Sequence, residues 1–257
     1  MSDLSQLQVA SMRERVSREE WATRVDLAAC YRLVHHYGMD DLVYNHISAR
    51  VPGEEGHFLI NAYGMTYDEI TASSLVKIDF DGQVVQDSGT GYGINHAGFV
   101  IHSAVHRGRP DVACVIHTHT PAGMAISAMK CGLLPLTQNA MFFSGVAYHG
   151  YEGPAVDLDE QQRLVADLGE HVAMVLRNHG LLAVGSTIPE AFITMYWLER
   201  ACQAQVVAMQ TECEPPAPKT VAKTNERYKP GQRRRIGELE WAGLLRLLER
   251  RYPGFRD

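Results

Sequence analysis

The sequence VACVIHTHTP at residues 112–121 decides the interpretation of this chain. Its apolar first half predicts a short buried strand, and Pro121 is well suited to the first turn of a following helix. His117 and His119 stand where the strand ends, and residues i and i+2 of an extended segment point to the same face. The pair can therefore offer two nitrogens to one metal ion, although histidines at this spacing are also common as structural residues.

A third histidine follows another apolar stretch, sixty positions after His119. This stretch leads into RNHG at residues 177–180, where His179 stands beside a glycine that permits a sharp bend. His179 is thus a third candidate ligand, with a turn histidine bonded to backbone as the alternative. Three neutral imidazoles with one open position are typical of a catalytic zinc site.

Helices and strands are predicted on both sides of these motifs. Ser17 and Glu20 form a capping box that begins a helix ending near Tyr37. Residues 42–86 have the period of two that favours antiparallel strands, with a hairpin turn at Asp81-Gly82.

The second half of the chain alternates strand and helix. Helices are predicted over residues 97–108, from Pro121, over 158–171, and from a second capping box at Thr187 and Glu190 to about residue 210. This order predicts an α/β fold, a mixed sheet with helices on its faces.

Three regions are expected along the chain. Residues 1–16 form a polar N-terminal arm, 17–213 the main domain, and 214–257 a proline-containing linker with a C-terminal helix. The last helix is expected either to dock back on the main domain or to reach a neighbouring subunit.

Composition narrows the class of function. The chain has 257 residues, 46% of them hydrophobic, which allows one sizeable core, and its net charge of −6 argues against nucleic acid as a partner. No apolar window is long enough for a membrane helix, and the N-terminus has no signal-peptide core, so we expect no membrane partner and a cytoplasmic location. The 5 cysteines are widely spaced, which favours reduced thiols.

Longer motifs resemble the class II aldolase and adducin head-domain family, over residues 20–210. The motifs of the family are HTH at 117–119, NHGL at 178–181, NHIS at 45–48 and INAYG at 60–64. The adducin-like branch is indicated by TASSLVK at 71–77, RPD at 109–111 and the segment 119–135. Fuculose-phosphate aldolase and ribulose-phosphate epimerase are related members.

The resemblance implies a three-layer αβα domain around a mostly antiparallel central sheet. It also implies a homo-oligomer, usually a homotetramer with active sites between subunits, and a small-molecule substrate. A divalent metal, typically Zn²⁺, would be held by His117, His119 and His179.

The chain departs from the sugar-phosphate aldolases of this family at two places. Their Ser-Ser-Glu run, which binds phosphate and supplies an acid–base carboxylate, is replaced by the run from His96 to Gly98. Their glycine-rich phosphate loop is replaced by the bulkier DLVYNH at 41–46, so a backbone anion site is not expected there. A phosphorylated sugar is therefore disfavoured as the substrate.

These departures suggest that other residues bind the substrate and supply the acid–base group. His46, Tyr63 and Gly64 are the predicted substrate-binding residues. His96 is the first candidate for the acid–base residue, because an imidazole with a pKa near ~6.5 transfers protons at neutral pH. The alternative for His96 is a histidine that only forms hydrogen bonds at a helix start.

We therefore expect a divalent-metal-dependent carbon–carbon lyase of aldolase type, acting on a small hydroxy-carbonyl or carboxylated substrate. A non-catalytic, adducin-like oligomeric interaction domain is the alternative, since the family glutamate is missing. A related epimerase or decarboxylase would use the same site.

Overall fold

The computed structural model describes residues 11–143, 145–153, 158–229 and 234–257. Residues 1–10 of the predicted polar arm lie outside the described part. The rest of the arm contains a short helix in which Met12 is buried.

One sheet of eight strands lies at the centre of the described residues. The strands are β1 His46–Arg50, β2 His57–Asn61, β3 Leu75–Asp79, β4 Val84–Gln86, β5 Cys114–Thr118, β6 Ala147–His149, β7 Ala173–Leu176 and β8 Gly180–Gly185. Their order is β4-β3-β2-β1-β5-β8-β7-β6, and every neighbouring pair is antiparallel except the parallel pair of β6 and β7. The prediction of a mostly antiparallel central sheet is confirmed.

Helices pack on both faces of this sheet. In the described residues they are α1 Met12–Arg15, α2 Arg18–His36, α3 His96–Gly108, α4 Pro121–Ala128, α5 Leu158–Leu168, α6 Ile188–Ala208, α7 Pro218–Tyr228 and α8 Glu238–Arg251, with a 3₁₀ turn at Ala140–Phe142. Ile47 and Ile116 contribute to a core with α2, α6 and α8, whereas Val115 and Leu182 point to the opposite face and pack with α3 and α5. The fold is the expected three-layer αβα domain.

The start of α2 differs in one detail from the predicted capping box. The Ser17 hydroxyl accepts a hydrogen bond from the Glu20 N–H, as expected for an N-cap. The Glu20 carboxylate does not return to Ser17, because it is buried in ion pairs with Arg24 at 2.8 Å and Lys77 at 2.7 Å. The cap is therefore single, and Glu20 joins α2 to β3.

The predicted end of α5 is wrong by three residues. The helix ends at Leu168 rather than His171. The His171 N–H bonds to the Leu168 carbonyl and closes a turn there, which leads the chain into β7.

The C-terminal region docks on its own chain. Trp241 of α8 is buried, and its indole N–H donates to Asp26 at 3.0 Å. Phe255 is fully buried, and its carbonyl accepts a hydrogen bond from the Ala72 N–H. Of the two expected placements of the last helix, the structure has the docked one.

Helix α7 was not predicted. It begins at Pro218, inside the segment that was expected to be a proline-containing linker, and none of its side chains is buried. No helix among the described residues has the length and apolar character needed to cross a membrane.

Candidate metal centre

A cavity of about 460 Å³ opens where β1, β5 and the β7–β8 turn meet the first turn of α3. His46, His117, His119 and His179 all line it. Exposed side chains at its edge include Tyr44 and Tyr151, which give the mouth an aromatic border.

Local backbone structure brings three of these histidines together. His117 lies on β5 and His119 directly follows this strand. His179 lies in the short turn between β7 and β8, where Asn178 has a left-handed conformation with φ of 55°. A side chain at Gly180 would stand 2.3 Å from the Thr118 carbonyl oxygen, so only glycine lets β8 approach β5 so closely at this point.

The three imidazoles converge on one point. The Nε2 atom of His119 lies 2.7 Å from Nε2 of His117 and 3.1 Å from Nε2 of His179. All three ligand atoms lie within 4.8 Å of one another, and no other such group occurs among the residues that the structure describes. The predicted ligand set is thus assembled in space.

Hydrogen bonds fix the orientation of two of the rings. Nδ1 of His117 faces the Leu181 carbonyl at 2.9 Å, and Nδ1 of His119 faces the Asp41 carboxylate at 3.2 Å. Carbonyl and carboxylate oxygens only accept, so each Nδ1 must be the donor. In the neutral rings the two Nε2 atoms then carry lone pairs that point at each other, an arrangement that a bound cation stabilises.

Burial keeps these imidazoles neutral. It lowers the pKa of His179 to about 4, with the nearby His119 acting in the same direction. It also holds the pKa of His117 well below its usual value and lowers that of His119, although the Asp41 carboxylate opposes the latter shift. Neutral imidazole is the form that binds metal, so the chemistry of this donor set fits a divalent ion such as Zn²⁺.

His46 is the fourth imidazole of the cavity. It is 3% exposed, and neither ring nitrogen has a hydrogen-bond partner among the described residues. An unsatisfied buried donor costs about 1–3 kcal/mol, so a ligand or water is expected at this ring. Burial, followed by the nearby His119 and His179, lowers the pKa of His46 to about 3.

Gly98 makes room for this ring. A Cβ atom at position 98 would lie 2.5 Å from Nδ1 of His46. The imidazole thus occupies the space that a side chain at position 98 of α3 would need. His46 on β1 therefore fills the place of a side chain that α3 lacks.

Further buried polar side chains follow His46 along β1. Ser48, two residues further along β1, has its hydroxyl 2.6 Å from Nδ1 of His102 and 2.8 Å from Nε2 of His106. Both histidines lie on α3 and are buried. They join α3 to β1 beneath the cavity.

Three residues predicted from the sequence do not line this cavity. His96, at the start of α3, is exposed and packs beside Phe99. Tyr63 is partly exposed, and its N–H donates to the Gly93 carbonyl. Gly64 packs on the ring of Tyr92.

Asp41 is a cavity residue that was not predicted from the sequence. It lines the cavity and orients His119, from which it is separated by 78 positions. No local pattern marks such a pair. The only available signal was that the loop at 41–46 precedes the NHIS motif.

Comparisons with known proteins agree with this architecture. Residues 25–206 match the family model described as the Class II Aldolase and Adducin N-terminal domain. An aldolase II superfamily protein from Pseudomonas syringae has 50% identity and a TM-score of 0.90, with 95% of this chain and 99% of that chain covered. An L-fuculose 1-phosphate aldolase from Glaciozyma antarctica has 28% identity and a TM-score of 0.82, with 93% of each chain covered.

Alpha-adducin from Mus musculus is a further relative. It is 41% identical to this chain, and the alignment covers 91% of this chain but only 35% of the mouse protein. The similarity is therefore to one region of that longer protein.

Proposed function

Because the chain belongs to the class II aldolase and adducin N-terminal domain family, we propose that it is a divalent-metal-dependent carbon–carbon lyase of aldolase type. The observation that carries this proposal is the convergence of three Nε2 atoms at the wall of an open cavity. A scaffold without chemistry has little physical need for three neutral imidazoles at one point.

We assign the metal to His117, His119 and His179, with zinc as the expected ion. When bound, the ion would supply Lewis-acid stabilisation of negative charge that develops on a substrate oxygen. The protein's own part is to hold three neutral donors in place, with the Leu181 carbonyl and Asp41 fixing two of the rings.

A small hydroxy-carbonyl or carboxylated molecule is the proposed substrate. The related Glaciozyma antarctica protein is an L-fuculose 1-phosphate aldolase, but the residues at 96 and 97 and the bulky loop at 41–46 replace the phosphate-binding features that the family resemblance leads one to expect. His46 would contact the substrate, because its unpartnered ring borders the cavity.

His96, Tyr63 and Gly64 remain proposed contributors from the cavity's surroundings. His96 directly follows Asn95, which lines the cavity. The Tyr63 N–H donates a hydrogen bond to the carbonyl of Gly93, and Gly93 lies two residues before Asn95. In an oligomer with sites between subunits, these exposed groups could serve a neighbouring copy. Replacement of His96 by alanine should then retain metal and slow turnover.

Family membership also supports a homo-oligomer, for which we propose a homotetramer. Light scattering on the purified protein would measure its mass. We further propose a cytoplasmic location, in keeping with five free cysteines, since reduced thiols persist in that compartment.

The second candidate is a non-catalytic interaction domain like that of adducin. It is favoured by the 41% identity to mouse alpha-adducin and by the absence of a carboxylate at position 98. An epimerase or decarboxylase would use the same metal and cavity.

An activity screen separates these candidates. The protein, stripped with chelator and then reloaded with zinc, would be incubated with small hydroxy-carbonyl compounds and hydroxy acids, and carbonyl products and CO₂ would be measured. Turnover that requires zinc and is lost in His179→Ala is expected. No turnover by a zinc-loaded, intact oligomer would favour the interaction domain.

A further inference from the structure

The ring of His46 is a hydrogen-bonding group without a protein partner. It is almost completely buried, both nitrogens are unpartnered among the described residues, and the ring borders the metal cavity. One nitrogen of a neutral imidazole carries a proton, so the cavity wall contains a donor that has no acceptor among the described residues.

The charge around this donor favours an anion. The three ligand imidazoles are neutral, so the two positive charges of a divalent ion would not be offset by a ligand carboxylate. Among the described residues that line the cavity, Asp41 is the one with a carboxylate, and this group is directed at Nδ1 of His119. The first turn of α3, through Asn95 and Gly98, also borders the cavity and adds the positive end of a 13-residue helix.

The side chains that line the cavity indicate the type of anion. None of the described residues that line the cavity is a lysine or an arginine. Arginine and lysine are common phosphate-binding side chains, and the serine run and glycine-rich loop that the family resemblance leads one to expect for phosphate are also replaced in this chain. A carboxylate carries less charge, so one imidazole donor and the helix terminus are a better match for it.

We propose that this cavity binds a small 2-hydroxy carboxylate whose carboxylate accepts a hydrogen bond from His46, and that Gly98 determines this specificity by leaving room for the ring. This inference rests on the proposed function and names its class of substrate. The 2-hydroxyl group is specified because it would give the divalent ion a substrate oxygen on which to act as a Lewis acid, beside the carboxylate at His46.

Binding of glycolate to the zinc-loaded protein tests the inference without any turnover. Calorimetric titration would compare glycolate with glycolaldehyde, which lacks the carboxylate, and with inorganic phosphate. Glycolate is expected to bind at least about tenfold more tightly than either, since hydrogen bonds to charged groups are the stronger ones.

Variants of His46 isolate the donor. His46→Leu should weaken glycolate binding by about 10- to 100-fold, whereas His46→Gln keeps an N–H donor and should retain most of the affinity. Zinc content should stay at the wild-type value in both. Equal glycolate affinity in wild type and His46→Leu would overturn the assignment of His46.

A matched pair of glycine variants isolates the role of Gly98. A Cβ atom at Gly98 collides with His46, whereas a Cβ atom at Gly93 meets nothing within 4 Å. Gly98→Ala should therefore weaken glycolate binding and Gly93→Ala should not. Equal effects of the two changes would overturn this role.

The failures of the two proposals are distinguishable. Protein that holds zinc but does not bind glycolate, or binds phosphate equally well, would overturn the inference and leave the proposed lyase standing. Protein that does not hold zinc at all would overturn both.

Discussion

At the scale of single residues, the geometry of the site depends on the groups that form hydrogen bonds to Nδ1 of the candidate ligand rings. The Leu181 carbonyl and the Asp41 carboxylate each bond to Nδ1 of a ligand ring, which leaves Nε2 of His117 and His119 directed at the shared point. Of these two supports, only Asp41 is a side chain and can be removed by substitution.

Asp41→Ala should weaken zinc binding by about 10- to 100-fold, because His119 would lose the group that fixes its ring and raises its basicity. Competition with a zinc chelator would measure the affinity. Asp40→Asn is a matched control, since Asp40 bonds to His35 at 2.8 Å instead. Equal zinc affinity in Asp41→Ala and wild type would contradict the role given to Asp41.

The convergence of the three candidate ligand histidines could be predicted from the sequence, whereas their surroundings could not. His117, His119 and His179 each follow or end an apolar strand, which is a local signal. The contacts of Asp41 with His119 and of Gly98 with His46 join residues 78 and 52 positions apart. Such pairs are created by strand pairing and helix packing, so no short motif records them.

At the scale of secondary-structure elements, the C-terminal region is part of the main core. Phe255 and Trp241 belong to the same apolar cluster as the buried face of α2. Arg32 of α2 also donates to the carbonyls of Tyr252 and Pro253. The division proposed at residues 213 and 214 therefore separates segments that stabilise each other.

Phe255→Ala should lower the free energy of unfolding by roughly 3–5 kcal/mol, the usual cost of removing a buried aromatic ring. Urea denaturation would measure this change. Leu239→Ala is the control, because Leu239 lies on α8 with 66% of its surface exposed and should change stability by about 0.5 kcal/mol or less. Unchanged stability of Phe255→Ala would mean that the tail is not docked in solution.

Element boundaries were predictable where caps and apolar periodicity coincide. Helix α2 begins after its Ser17 cap and ends at His36, one residue before the predicted Tyr37. Helix α7 was missed because it begins at Pro218, at the end of a proline-containing segment that was interpreted as a linker. Proline is tolerated in the first turn of a helix, so its presence there did not exclude one.

At the scale of the whole molecule, buried histidines should make the fold sensitive to acid. Burial lowers the pKa of His46 and of His106 to about 3, and holds that of His102 well below its usual value. In the unfolded chain these groups titrate near ~6.5. Between these values the unfolded state binds more protons, so the free energy of unfolding falls as the pH falls.

The metal-free protein should therefore have a lower urea midpoint at pH 5 than at pH 7.5, with each such histidine contributing at most about 1.4 kcal/mol per pH unit. His106→Phe should reduce this pH dependence, whereas His171→Gln, at an exposed site, should not. A midpoint that does not change between the two pH values would contradict the prediction.

The central claim is that His117, His119 and His179 hold a divalent metal, and elemental mass spectrometry tests it most directly. The protein would be purified without chelator or affinity tag, beside His117→Ala and His179→Ala. We predict about one zinc or similar ion per chain in the wild type and loss of it in both variants, because each removes one of three ligands. A folded wild-type protein without metal, or full metal retention by either variant, would contradict the claim.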